Sequence, residues 1–289
     1  MIREKMAQAA DILAEEDIDL WLTFVRESEV CGDPVLDLIL GANCTWHSAF
    51  MIPARGGPVA IVGSLDESRI RETGGYEVVG YKQSIKEPLL ERTSRFDPKT
   101  IAVNYSENAY MADGLSHGLY LSLLRYFEGT PYGARLVSSE NVIAKLRGRK
   151  SSEEIRRIRA AVDLAERIFD RASSVIKPGR TERDVASFIL GEVDREKVDT
   201  AWERALCPSV FTGPESAGAH AGPTDRVIER GHILNIDFGV KVEHYVSDLQ
   251  RTWYILRDGE RKAPAEVTRA FETIRDSIAL AAERIRPGM

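Results

Sequence analysis

Two aspartates eleven residues apart, Asp237 and Asp248, and a histidine seventeen residues before the first, His220, are the residues of this chain whose types and spacing could do chemistry. Asp237 stands in Gly231-His232-Ile233-Leu234-Asn235-Ile236-Asp237-Phe238-Gly239, an otherwise apolar run that reads as a strand. Desolvation makes an uncompensated carboxylate expensive there. Asp248 stands in the next strand-like run, Tyr245 to Leu256, and a hairpin turning near Val242-Glu243 places the two carboxylates almost directly across from each other. Like charges so opposed destabilise a sheet, whereas a hard divalent cation between them is well served by carboxylate oxygens. Two plainer arrangements use the same residues: separate surface carboxylates on a hairpin, or an ion pair between Asp248 and nearby Arg251. His220 lies in a small-residue loop, Ala217-Gly218-Ala219-His220-Ala221-Gly222-Pro223, and by itself reads as a solvated loop histidine.

The elements that must position these residues follow from periodicity. Ile158, Val162, Ala165, Ile168, Phe169 and Ala172 recur at helical spacing, and the helix stops at Lys177-Pro178-Gly179, where proline and glycine both oppose continuation. A second helix starts at a Thr181 cap, with Val185, Phe188, Ile189 and Val193 on its apolar face. A final helix, Val267 to Ile285, begins near Pro264 and ends in Ile285-Arg286-Pro287-Gly288. This repeats the ending Ile176-Lys177-Pro178-Gly179 at an offset of 109 residues. A single four-residue match is weak support for an internal repeat; if the repeat is real, its second copy has barely begun at Met289.

Upstream, Met6, Ala9, Ile12 and Leu13 mark an opening helix, and the runs 19–25, 49–52, 59–62, 76–79 and 100–103 read as strands. Helical stretches at 65–72 and 115–127 lie among them, so the alternation predicts a sheet with helices against it. The apolar pattern lapses at Leu146-Arg147-Gly148-Arg149-Lys150, and Ser151-Ser152-Glu153-Glu154 then supplies a capping box. The domain boundary is expected there, between domains 1–147 and 151–289.

Composition narrows the partners. The chain has 289 residues, 45 acidic against 39 basic and a net charge of -6, with the basic residues scattered rather than gathered in a stripe, which argues against nucleic acid. Its N-terminus is broken by charges every few residues and offers neither a signal core nor a membrane span. Cys31, Cys44 and Cys207 are widely spaced and form no C-x-x-C pair, which fits a reducing cytoplasm.

The run His220, Pro223, Thr224, Gly231, Asp237-Phe238-Gly239, Tyr245, Ser247-Asp248 and Arg251-Thr252 resembles the signature of pita-bread metallopeptidases of the aminopeptidase P and prolidase group. The resemblance covers residues 151–289; residues 1–147 are similar to the creatinase-like N-terminal domain of such proteins mainly in length and α/β order. It implies an α/β N-terminal domain followed by an α+β pita-bread domain, here truncated after its first half. It further implies an Xaa-Pro metallopeptidase in which two divalent ions (manganese, cobalt or zinc) activate a water or hydroxide for attack on the scissile carbonyl. Asp237 would ligate one ion, Asp248 would bridge both, and His220 would steady the tetrahedral intermediate. Peptides with proline at the second position would be the substrates, and a homodimer the usual state. Position 250, threonine in the resembled signature, is glutamine here, and the family's remaining histidine and two glutamate ligands fall beyond Met289, so the chain as given is expected to leave the site unfilled and to be inactive.

Three other readings stand beside this one. Gly114-Leu115-Ser116-His117-Gly118 matches the G-x-S-x-G elbow of serine hydrolases, but no β run leads into it, so Ser116 reads as a helix start. A metal-free creatinase-type hydrolase shares the implied fold, although the aspartate pair argues against it. A non-catalytic pita-bread module that binds peptides is the third, opposed by retention of Asp237, Asp248 and His220. Trp46-His47 and Trp202 carry no assigned role.

Overall fold

Leu20-Trp21-Leu22-Thr23-Phe24-Val25 is buried along its whole length, because this strand is sandwiched on both faces. Trp21 and Val25 enter one hydrophobic cluster, while Leu20, Leu22 and Phe24 enter another, as expected for a strand whose alternate side chains both meet covering layers. In the computed structural model, which describes residues 1–215 and 221–287, the chain divides into two compact units, Met1–Glu153 and Glu154–Met289.

The first unit opens with α1 (Ile2–Glu15), β1 (Leu20–Val25), α2 (Leu36–Ile39), β2 (Ser48–Pro53) and β3 (Val59–Gly63). It continues with α3 (Glu67–Thr73), β4 (Glu77–Tyr81), α4 (Lys86–Phe96), β5 (Ile101–Val103), α5 (His117–Tyr126), β6 (Leu136–Ser138) and α6 (Glu140–Gly148). The strands form one mixed sheet in the order β4-β3-β2-β1-β5-β6. Pairing is antiparallel for β1–β2 and β2–β3, and parallel elsewhere. The buried Lys5 of α1 donates from Nζ to the carbonyl of Leu146 at 2.5 Å, so a cation satisfies the C-terminal end of α6. The elbow-like sequence at 114–118 is a helix start: Ser116 caps α5, its Oγ accepting the Leu119 N–H. A short 3₁₀ turn, Tyr110–Ala112, rather than a strand, precedes it.

In the second unit α7 (Ser152–Ala172) and α8 (Glu182–Glu196) are followed by β7 (Asp199–Thr200), β8 (Ser209–Thr212), β9 (Ile233–Phe238), β10 (Val240–Val242), β11 (Tyr245–Val246), β12 (Leu249–Tyr254) and α9 (Ala265–Arg284). Thr181 and Asp184 form a reciprocal capping box at the start of α8. Two three-stranded antiparallel sheets result, β11-β10-β7 and β12-β9-β8. Leu234, Ile236 and Phe238 pack into one core with Ala165, Phe169, Val185 and Ile189 of the two long helices.

One long strand from Tyr245 was expected, and two short ones are found. The break falls at Ser247 and Asp248, and Gly239 shares in it: Val240 N–H donates to Ser247 Oγ at 3.0 Å, and Ser247 N–H donates back to the Val240 carbonyl at 3.0 Å. These bonds draw the Ser247 carbonyl so close to Gly239 that any Cβ there would land on it. The β10–β11 turn is Glu243-His244, both at positive φ (46° and 70°), the two-residue geometry that suits the twist of a hairpin.

The suggested repeat has a structural echo. At the 109-residue offset, Ala165, Phe169 and Ala172 of α7 correspond to Ile274, Ile278 and Ala281 of α9, so both helices carry an apolar face in the same place. α7 buries that face. α9 buries no residue at all, and Ile274 and Ile278 are 63% and 66% exposed.

Candidate metal centre

Partners directly opposed in an antiparallel pair point to the same face of the sheet. Asp237 is therefore flanked on its face by Ser209 of β8 and Gln250 of β12, and Asn235 by Phe211 and Thr252. The opposite face, with Leu234, Ile236 and Phe238, is the one packed in the core. Asp237 thus rises from the side of the sheet away from α7 and α8, half-buried between its neighbours, while Asp248 is exposed.

The register departs from expectation. Gln250 is the cross-strand neighbour of Asp237, and Asp248 stands two positions earlier, with the parity of Gln250 but just outside β12. The two carboxylates are diagonal rather than directly opposed, a separation of roughly 7–8 Å between α-carbons in a regular ladder. The turn causes the offset: it falls at Glu243-His244, one residue later than Val242-Glu243, which moves every partner on the return strand by two, and the β10–β11 and β9–β12 pairings share that register. An ion pair between Asp248 and Arg251 is not how Arg251 is used: its guanidinium lies 3.0 Å from Glu166 of α7 and over the Phe169 ring.

Asn235 was not anticipated. Its Nδ2 donates to Thr252 Oγ1 at 2.9 Å, and its Oδ1 is buried without a hydrogen-bond donor among the described residues. A buried acceptor in that condition is costly, and it sits on the face that carries Asp237. The apolar strand pattern hid it, since an asparagine at an alternate position of a half-buried strand gives no spacing signal of its own.

Glu182 was missed as well. This buried residue in the first turn of α8 accepts the Thr212 N–H at 2.9 Å with Oε1, and with Oε2 the Thr224 N–H at 2.9 Å and the Thr224 hydroxyl at 2.6 Å. Thr212 ends β8 and Thr224 follows the loop that contains position 220. His220 itself lies outside the described residues. Its neighbour Ala221 accepts a hydrogen bond from Ser209 Oγ at 3.0 Å, and Ser209 is the β8 neighbour of Asp237.

Other signature positions hold the scaffold. Tyr245 Oη donates to Glu154 at 2.9 Å, and Gly231 takes a positive φ of 84°. Burial pushes the Cys207 thiol up, which keeps it protonated beside the Gly239 carbonyl and unsuited to nucleophilic work. Among the described residues no three His, Cys, Asp or Glu side chains gather as a metal-ligating group. Hard acceptors such as those on the Asp237 face are of the kind that suits a divalent cation.

Residues 156–289 match the model of metallopeptidase family M24. An uncharacterized peptidase of Staphylococcus aureus is 31% identical over 147 residues, 51% of this chain and 40% of that protein. The uncharacterized peptidase YqhT of Bacillus subtilis is 25% identical over 215 residues, 74% of this chain and 56% of its own length. The matched stretches thus span about half the length of these curated relatives, or less. Among solved structures, an Xaa-Pro dipeptidase from Bacillus anthracis superposes with a TM-score of 0.66 at 19% identity, over 93% of this chain and 68% of that one. The prolidase from Pyrococcus horikoshii OT3 gives 0.67 at 22% identity, over 99% and 73%. The fold of this chain is that of those pita-bread structures.

Proposed function

We propose, on the premise that residues 156–289 belong to metallopeptidase family M24, that the second unit carries part of the metal centre of a peptidase acting on peptides with proline at the second position. The observation that carries this reading is Asp237, a half-buried carboxylate on the sheet face away from the helices, beside a buried asparagine oxygen with no donor among the described residues. Asp237 would hold one divalent cation and Asp248 would bridge a pair, with manganese, cobalt or zinc the candidates. Such ions, when bound, polarise the scissile carbonyl and make a water nucleophilic near neutral pH.

The chain's own residues do the rest. Asn235, fixed by its hydrogen bond to Thr252, shapes the floor next to Asp237. Gln250 fills the strand position across from Asp237 and sets the width of the gap. Glu182 ties down the segment after position 220. His220 would then donate a hydrogen bond to the oxygen that becomes negative in the tetrahedral intermediate. Proline specificity, a homodimer and a cytoplasmic setting belong to the same reading and rest on the resemblance. The further histidine and two glutamates that the resemblance calls for are not among residues 1–289, so these residues alone would turn over no peptide.

The test is Mn²⁺ binding to the 289-residue protein, followed by electron paramagnetic resonance, alongside hydrolysis of an Xaa-Pro dipeptide. Saturable binding that weakens roughly tenfold in Asp237→Asn and in Asp248→Asn, without hydrolysis, is the expected result, since affinity follows the charge of the ligands. Identical Mn²⁺ binding by the wild type and the double variant would sink the metal assignment and leave a peptide-binding module as the reading. Hydrolysis by the wild type would refute the incomplete site.

A further inference from the structure

The segment that leads into β2 delivers Trp46 and His47 to the wall of a cavity of about 870 Å³ in the first unit, which Arg26, Cys31, Tyr81 and Lys82 also line. This wall is built rather than incidental. The buried Asp66 accepts the Thr45 N–H at 2.8 Å and so anchors the segment. The Trp46 ring lies on Gly63 at the end of β3, where a Cβ would stand 2.5 Å from it. Trp46 also packs at a tilt against Tyr81, with ring centroids 5.9 Å apart. Tyr81 donates its hydroxyl to the His47 carbonyl at 2.8 Å, and burial pushes its phenol up to about 12, so it stays neutral.

His47 is half satisfied. Its Nδ1 lies 3.1 Å from Tyr126 Oη, while its Nε2 is buried with no partner among the described residues. Burial first, and the Arg26 charge second, lower its tendency to protonate. A neutral imidazole has one donor and one acceptor nitrogen, so one hydrogen-bonding position of the ring is left over. Two cationic heads, Arg26 and Lys82, stand against one carboxylate on the same wall, Glu27. Exposed aromatic surface at Trp46 and the tilted Tyr81 ring give a flat apolar flank.

We propose that this cavity is a binding site for a small carboxylate with a flat apolar body. The anionic end meets Arg26 and Lys82, and the body lies against Trp46 and Tyr81. Cation–π and stacking contacts and charge-assisted hydrogen bonds give such a ligand its affinity. The site owes nothing to Asp237 or Asp248, so it stands or falls independently of the peptidase reading.

The experiment uses the 289-residue protein with 3-phenylpropanoate as probe and 3-phenylpropanamide as its neutral counterpart, measured by titration calorimetry. Cys31 provides a second readout, because it is the exposed cysteine while Cys44 and Cys207 are buried. The acid should bind once per chain and slow iodoacetamide modification of Cys31. The amide should bind at least about tenfold more weakly, as loss of a charge-assisted contact requires. Arg26→Ala and Lys82→Ala change exposed positions and should each weaken the acid and leave the amide unchanged. No binding of the acid up to about 10 mM, equal affinity for acid and amide, an unaltered Arg26→Ala/Lys82→Ala double variant, or full Cys31 reactivity at saturation would each overturn the proposal.

Discussion

Oε2 of Glu182 accepts both the N–H and the hydroxyl of Thr224, at 2.9 and 2.6 Å, while its other oxygen holds the end of β8. One buried carboxylate is therefore shared by α8, β8 and the segment after position 220, and three donors converge on it. Glu182→Gln puts an amide N–H₂ where an acceptor is needed and forces two donors together. The expected loss is about 1–3 kcal/mol of stability, the cost of an unmet buried hydrogen bond. Urea denaturation measures it, and amide exchange at Thr212 and Thr224 should speed up. A loss well under the lower figure, with unchanged exchange, would contradict the clamp.

Gly239 is a second point of control. A methyl group there meets the Ser247 carbonyl and the Ala201 side chain, and a backbone carbonyl held by the β10 ladder cannot swing aside. Gly239→Ala should cost about 3 kcal/mol, the upper range for overpacking, and lower the thermal midpoint. Gly57→Ala is the control, since neither a positive φ nor any nearby atom opposes a methyl group there.

Asp33 makes the first unit sensitive to pH. Burial raises its carboxyl, opposed by hydrogen bonds from Asn104 Nδ2 at 2.7 Å and the Val35 N–H at 3.0 Å, with the Asp113 charge a lesser raising influence. The unfolded chain releases this proton near 3.8, whereas the folded one holds it to higher pH. The contribution of Asp33 is thus fully present below 3.8 and is lost as pH rises through the raised folded value. Urea midpoints should register this downward component as pH rises above 3.8, and Asp33→Asn should abolish it. A wild-type profile parallel to that of the variant would rule it out.

The diagonal placement of Asp237 and Asp248 predicts opposite effects with and without cations. In chelator-treated buffer, Asp248→Asn should be neutral to slightly stabilising, by about 0.2–1 kcal/mol, because a like-charge neighbour is removed. In millimolar Mn²⁺ the wild type should gain more thermal stability than the variant, since only binding to the folded state stabilises it. Equal gains in the two proteins would refute a shared cation.

The sequence disclosed what periodicity encodes and concealed what register and single side chains decide. The strands around Trp21, Phe50, Ile61, Val78 and Ala102 stand where short, mostly continuous apolar runs placed them, and the Thr181 cap and the Pro264 helix start were equally legible. Strand β6 was not, because Leu136-Val137-Ser138 is too short to show alternation. The aspartate pair was visible, but its offset depends on the turn falling at Glu243-His244 rather than one residue earlier, which no strand pattern reveals. Glu182, in the first turn of α8, has no spacing that marks it. Its burial arises from Thr212 and Thr224, thirty and more positions away in the chain.

Helix α9 has a kinetic consequence. A helix with no buried residue draws little from tertiary packing and is held mainly by its own backbone bonds, so its opening should approach the submicrosecond scale of an isolated helical peptide. Trypsin should therefore cut at Arg269, Arg275 and Arg284 while the sheet-backed helices are still resistant, because cleavage follows the open population. Phe271, Ile274 and Ile278, exposed along the same helix, would make the protein sticky in concentrated solution, and any partner that covers them would be seen first as protease resistance at those three arginines.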